Sequence, residues 1–125
     1  QQTGRAFTII HSLDGYDEIS LTSDTKVITN LGERVYTPEE LGKRMVEQSD
    51  IYGGNTVEES AAIFRKIIQG NGTWAQNAVV LANAAMALNC TGKYANYEEA
   101  YHAAVESLES GKALASLEKL IALQS

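Results

Sequence analysis

Apolar and polar positions divide the chain into a strand-like first third and a helical remainder. Residues 5–11 (RAFTIIH) form a near-continuous apolar run through Ala6, Phe7, Ile9 and Ile10, which reads as a buried strand of the parallel type. Residues 25–30 (TKVITN) and 33–37 (ERVYT) are rich in β-branched side chains and flank Leu31-Gly32, the pattern of a β-hairpin with a tight glycine turn. Pro38 ends the second of these strands. Thr37-Pro38-Glu39-Glu40 then supplies a capping residue, a first-turn proline and a glutamate, predicting a short helix over 38–48.

After a loop at Ile51-Tyr52-Gly53-Gly54-Asn55, Thr56 and Glu59 form a capping-box pattern. Val57, Ala61, Phe64 and Ile68 follow on one helical face, and Gly70-Asn71-Gly72 closes the segment. Residues 74–89 (WAQNAVVLANAAMALN) are apolar nearly all round, interrupted by Gln76, Asn77 and Asn83, so this helix should be central and buried. Asn96, with Glu99 three residues on, caps a helix striped by Tyr97, Ala100, Tyr101, Ala104, Val105 and Leu108. Gly111 breaks it, and Leu114, Leu117, Leu120 and Ile121 line a last helix. The expected class is therefore α/β: few strands including a hairpin, then four or five helices. Three strands are few for so many helices, and the chain opens Gln1-Gln2-Thr3-Gly4 without a methionine. Both features point to a section of a longer domain whose remaining sheet lies elsewhere. On that reading the section alone exposes sheet edges and apolar faces, and self-associates.

Bulk composition narrows the chemistry. The 125 residues suit one domain, or part of one, and 44% hydrophobic content supplies a core. Sixteen acidic residues against ten basic ones give a net charge of −6, with no basic cluster beyond Lys43-Arg44 and Arg65-Lys66. That balance argues against nucleic acid and anionic membranes as partners. One cysteine, Cys90, permits no internal disulfide and reads as a small buried hydrophobe. No apolar run is long enough to span a bilayer, so a cytoplasmic setting is the default expectation.

The strand at 5–11 runs into a turn carrying Asp14, Gly15, Asp17 and Glu18. Ligands of open α/β folds sit beyond the carboxyl ends of strands. Adjacent carboxylates there suit a metal bound together with a phosphorylated substrate. Mg2+ in particular takes one or two carboxylates plus phosphate and water oxygens. Taken by themselves, the same acids read more readily as a helix-end decoration, and Asp14-Gly15 as an Asx-type turn. Gly53-Gly54 could form an anion-binding nest but lacks any phosphate-loop spacing, and reads better as a turn needing positive φ. His11 has no nucleophile partner at motif spacing, His102 reads as surface or rim, and Trp74 as a packing anchor. The Asn83 side chain is expected to bond backbone within the core.

The stretch RAFTIIHSLDGYDEISLT at 5–22 resembles the strand and acidic turn of the anthranilate phosphoribosyltransferases, with Asp14, Gly15, Asp17, Glu18, Ile19, Ser20 and Thr22 matching. The resemblance continues through the hairpin, Pro38-Glu39-Glu40-Leu41-Gly42, Gly53-Gly54, Val80-Leu81-Ala82-Asn83-Ala84-Ala85 with Ala87-Leu88, and Ser107-Leu108-Glu109-Ser110-Gly111-Lys112-Ala113. It covers essentially the whole chain in order. Departures are Ser60-Ala61, where the family often has Asn-Ala, and Gly72-Thr73-Trp74, where it has Gly-Pro.

The resemblance implies a nucleoside phosphorylase/phosphoribosyltransferase-type fold, with residues 1–125 as one partial domain, the C-terminal section of the catalytic α/β domain. It implies transfer of phosphoribosyl from phosphoribosyl pyrophosphate to anthranilate in tryptophan biosynthesis, by an enzyme that is a homodimer when intact. Asp17 and Glu18 carry over as Mg2+ ligands. The family's pyrophosphate loop, its Lys-His-Gly-Asn segment and its anthranilate-binding arginine have no counterpart here, so no catalytic base is assigned and the section alone is expected to be inactive. Competing readings are a pyrimidine nucleoside phosphorylase, a non-catalytic nucleic-acid-binding relative of the same fold, and a stand-alone structural module. The Asp14-Gly15-Tyr16-Asp17-Glu18-Ile19-Ser20 turn and the C-terminal helices favour the transferase over the phosphorylase.

Overall fold

The computed structural model describes residues 7–42 and 44–124. Arg5 and Ala6 of the expected first strand, and Lys43, lie outside the described residues. Strands β1 (Thr8–Ser12), β2 (Thr25–Thr29) and β3 (Gly32–Tyr36) form a three-stranded antiparallel sheet in the order β1-β2-β3. Thr8 pairs with Thr29 and Ser12 with Thr25; across the hairpin, Thr25 pairs with Tyr36 and Thr29 with Gly32. The expectation of a buried parallel strand is thus corrected. β1 is antiparallel, and its outer edge is unpaired among the described residues. Successive strand side chains point to opposite faces. Ile10 accordingly packs on the core while its neighbour Ile9 is 48% exposed, an alternation that the apolar run conceals.

The hairpin forms as the pattern predicts. Asn30 and Leu31 make its two-residue loop, and the positive φ falls just beyond them, on Gly32 at 141°. α1 (Pro38–Gly42) starts as expected: the Glu40 amide donates to Thr37 Oγ1 at 3.2 Å, and the Thr37 amide donates to Glu40 Oε1 at 2.9 Å. It stops at Gly42, however, and does not reach 48. A Cβ on Gly42 would stand 2.3 Å from Leu21 Cδ1, so the helix end is pressed against a buried side chain. The Val46 amide then donates to the Leu21 carbonyl at 2.9 Å, in place of an intrahelical acceptor. A single 3-10 turn, Gln48–Ile51, follows.

α2 (Val57–Ile68) is capped by Thr56, whose Oγ1 accepts from the Glu59 amide at 3.1 Å. Glu59 reaches back to the amide of Asn55 (3.2 Å), so the expected capping box is displaced by one residue. The apolar face of α2 is not covered by the described residues: Val57 is 83% and Phe64 51% exposed. α3 (Trp74–Cys90) buries one strip of small residues, Ala75, Ala78, Ala82 and Ala85, together with Met86. Its other side, including Val80 and Leu81, faces a groove shared with Phe64 and Ile68. The expectation of burial all round is corrected to burial on one side. α4 (Tyr97–Glu109) is capped by Asn96 as predicted and packs on α3 through Ala100, Tyr101 and Ala104; α5 (Lys112–Gln124) buries no residue. The apolar faces of α2, α3 and α5 are left partly uncovered by the described residues.

Two pieces that are far apart in sequence complete the core. Ile19 and Leu21, which lie between strands, are fully buried and join Val27, Leu41, Val46, Ala75, Ala78, Ala82 and Met86 in one cluster. The Tyr97 hydroxyl donates to the Leu41 carbonyl at 2.6 Å, tying α4 to α1, and its burial holds the phenol well above its usual pKa.

Because Gly42 has no room for a side chain, Gly42→Ala is expected to destabilise the chain by about 1–3 kcal/mol, the range for overpacking a filled core. Gly53→Ala meets open space at a negative φ and should stay within about 0.5 kcal/mol. Urea unfolding of both variants checks the difference.

Candidate metal-binding turn

β1 ends at Ser12, and the chain reverses over Leu13–Tyr16. The reversal is closed by the Gly15 amide donating to the Ser12 carbonyl (3.0 Å) and the Ser12 amide to the Tyr16 carbonyl (3.1 Å). Gly15 sits at φ 106°, a conformation that side chains resist, which accounts for a glycine there. The turn therefore carries the sequence neighbours Asp17 and Glu18 at its exit. Both are exposed, and neither carboxylate has a hydrogen-bond or ion-pair partner among the described residues. Immediately afterwards the backbone enters the core at Ile19, Ser20 and Leu21.

A line of hydroxyls runs under this turn. Ser12 Oγ donates to the Glu18 carbonyl at 2.6 Å and accepts from the Ser20 amide at 3.3 Å. Ser20 Oγ lies 3.3 Å from Ser12 Oγ and 2.8 Å from Thr22 Oγ1. Thr22 Oγ1 donates to Asp14 Oδ2. A hydroxyl has one proton to give. Ser12 gives its proton to a carbonyl and Thr22 to a carboxylate, so Ser20 divides one proton between its two hydroxyl neighbours. The bond from Thr22 holds the Asp14 carboxyl below the usual aspartate range, and the bond from Ser23 adds to this. Asp14 thus acts as the acceptor at the end of a chain of hydroxyls, where an Asx-type turn was expected.

Across the core, Asn83 of α3 grips the other side of the strap. Its Oδ1 accepts from the Ile19 amide at 2.9 Å, and its Nδ2 donates to the Ile19 carbonyl at 2.7 Å and to the Val79 carbonyl at 2.9 Å. The expected backbone bonding of Asn83 is observed, on a backbone 64 residues away. Leu21 closes the strap at φ 62°, a left-handed conformation costing about 1–2 kcal/mol. Full burial of a leucine side chain is worth about 1.5–3 kcal/mol, enough to hold it there.

Among the described residues no three histidine, cysteine or acidic side chains converge as a preformed metal cage. Two exposed carboxylates next to each other in sequence have the chemistry that would suit a hard cation such as magnesium, completed by water and phosphate oxygens. Other candidates fall away. His11 is exposed on β1 opposite Lys26, and His102 is exposed on α4, as expected for a surface residue. Gly54 takes φ 91° as a turn residue. Ser60 Oγ donates to the Gly53 carbonyl (2.6 Å), so the pair forms a fixed turn. Trp74 is corrected from packing anchor to surface platform: it is 43% exposed, with the Arg44 guanidinium 4.0 Å above its ring. Cys90 is half-buried at the end of α3. The residues that sequence reasoning left without a role are Ser12 and the hydroxyl line; their only signal was a serine in a strand and an alternation of Ser20 and Thr22.

A family model described as "Glycosyl transferase family, a/b domain" matches residues 2–114. The chain belongs to this family. Among glycosyl transferase relatives it is 54% identical, over 96% of its length, to the anthranilate phosphoribosyltransferase of Flavobacterium johnsoniae, of which it spans 36%. The fold superimposes on the anthranilate phosphoribosyltransferase of Thermus thermophilus with a TM-score of 0.86 at 29% identity, covering 97% of this chain and 36% of that one. It also matches the Saccharomyces cerevisiae enzyme in complex with PRPP and Mg, with a TM-score of 0.77 at 25% identity, over 90% of this chain and 32% of that one. The α/β class expected from the sequence is the class of these structures. The chain spans little more than a third of the glycosyl transferase relatives it matches.

Thr22→Val removes the main donor to Asp14, so the Asp14 pKa is expected to rise toward the ordinary aspartate range. A depressed folded-state pKa means that this contact is intact at neutral pH and is lost as pH falls through that pKa. Carboxyl NMR titration of the wild type and of Thr22→Val checks both the direction and the acidic window.

Proposed function

We propose that this chain is the C-terminal section of the catalytic α/β domain of an anthranilate phosphoribosyltransferase. The intact protein transfers the phosphoribosyl group of phosphoribosyl pyrophosphate to the amino group of anthranilate, giving N-(5-phosphoribosyl)anthranilate. The observation that carries the proposal is the exposed Asp17-Glu18 pair at the end of the reversal after β1, in a chain 54% identical to a relative of that name. The complex of the yeast relative with PRPP and Mg supports the substrate and the ion. The proposal includes a homodimeric, cytoplasmic enzyme of tryptophan biosynthesis, on the strength of the family resemblance.

In this reading Asp17 and Glu18 hold Mg2+, directly or through water. Held there, the ion would supply positive charge to offset that of the pyrophosphate leaving group. The chain's own contribution is to keep two carboxylates adjacent and facing solvent. Its buried strap fixes where they stand. The groups that would bind the rest of the substrates have no match in this section.

Two expectations test the proposal. Incubated with phosphoribosyl pyrophosphate, magnesium and anthranilate, this chain alone should cause no loss of anthranilate fluorescence; turnover at the rate of a complete enzyme would refute the partial-site reading. In the complete enzyme, Asp17→Asn with Glu18→Gln should lower turnover by about 10–100-fold and raise the magnesium requirement, the scale of losses around metal sites. Thermal stability should hardly move, because both side chains are exposed. Replacing the exposed Glu106 and Glu109 by glutamine should change neither; wild-type magnesium dependence in the Asp17/Glu18 variant would leave the pair without a metal role.

A further inference from the structure

Resting on the reading of Asp17 and Glu18 as the metal-holding pair, we infer that Asn83 is the positioning residue for that pair. Neither carboxylate is steadied by a side chain among the described residues, so its place is set by the backbone that carries it. The deciding unit is the peptide joining Glu18 to Ile19. Its carbonyl accepts from Ser12 Oγ at 2.6 Å, and its N–H donates to Asn83 Oδ1 at 2.9 Å. Both polar atoms of that peptide plane are held from opposite sides. One hold comes from the strand that enters the turn and the other from α3.

The grip of Asn83 extends one atom group further, because Nδ2 donates to the Ile19 carbonyl at 2.7 Å. The second Nδ2 proton goes to the Val79 carbonyl at 2.9 Å, one turn back in the same helix, which locks the amide plane. Only a carboxamide of this length offers an acceptor and two donors in one plane. Aspartate would face two carbonyls with no proton, and leucine or alanine would leave the Ile19 amide and carbonyl unmet in a fully buried position. A polar residue interrupting the apolar face of α3 thereby acquires a reason beyond packing. The register of α3 against the sheet sets where the two carboxylates stand, and Asn83 is the coupling between them.

The test uses the complete enzyme with Asn83→Ala, the Asp17→Asn/Glu18→Gln variant, and Met86→Ala. Met86 is a buried residue of the same helix and of the same core, and serves as the stability control. Two quantities are read: the Mg2+ concentration at half-maximal turnover with fixed phosphoribosyl pyrophosphate, and amide hydrogen exchange of residues 13–22 without metal. Asn83→Ala should raise the magnesium half-point by about 10-fold, the lower end for groups that orient metal ligands, and should speed exchange within 13–22. Met86→Ala should lower Tm while leaving the half-point unchanged. Should Asn83→Ala fail to fold, Asn83→Ser, whose hydroxyl is a neutral and smaller polar group in the same place, is read in the same way. An unmoved half-point in the Asn83 variants while Asp17→Asn/Glu18→Gln responds overturns the positioning role and leaves the metal role standing. An equal shift in Met86→Ala also overturns it, since lost stability would then explain the effect. An unresponsive Asp17→Asn/Glu18→Gln variant removes the metal reading, and the positioning role falls with it.

Discussion

The structure depends on a three-residue strap, Ile19-Ser20-Leu21, that is threaded through the core without belonging to a strand or a helix. Backbone polar groups buried without secondary structure must find other partners. Here Asn83 meets Ile19, Ser12 meets the Ser20 amide and the Val46 amide meets the Leu21 carbonyl. Each partner comes from a different element, so satisfying the strap joins the sheet, α3 and the segment after α1. The early end of α1, the left-handed Leu21 and the bare Gly42 all follow from fitting a leucine side chain into that junction.

The same strap explains how a solvent-facing pair of acids can be held in a defined place. Asp17 and Glu18 are exposed, and exposed turns are usually loose. Placing the residues directly after them at zero exposure transfers the rigidity of the core to the turn. Asp14, at the far end of the hydroxyl line, braces the other limb of the reversal through Thr22. The turn is fixed at both feet and open at its tip.

Local chemistry was the legible part of the sequence. Thr37, Thr56 and Asn96 each cap the helix their spacing announced, and the TKVITN and ERVYT runs pair as a hairpin. Asn83, an amide in an apolar helix, signalled backbone bonding, though not the partner it finds. What sequence periodicity could not give was anything decided by contact at a distance. The apolar run at 5–11 hid the alternation of Ile9 and Ile10, because both residues are isoleucine whichever face they occupy. α1 had the residues to continue, yet it ends at Gly42, packed against Leu21 from 21 positions away, and the Val46 amide turns to the Leu21 carbonyl. The faces of α2 and α5 were read correctly as apolar, yet they stay largely uncovered among the described residues. The acidic turn was visible as a pair of carboxylates; its bracing by Ser12, Ser20 and Thr22 required the fold.

The Asn83–Ile19 clasp spans 64 residues, and that separation has a consequence for biosynthesis. A ribosome adding roughly 5–20 residues per second needs about 3–13 s to travel from the strap to its clasp. Throughout that interval the sheet can pair locally, since its strands follow one another in sequence, while Ile19 and the acidic turn have no α3 to lie against. The acidic turn leaves the ribosome before the helix that clasps it, and its ordering waits for that helix.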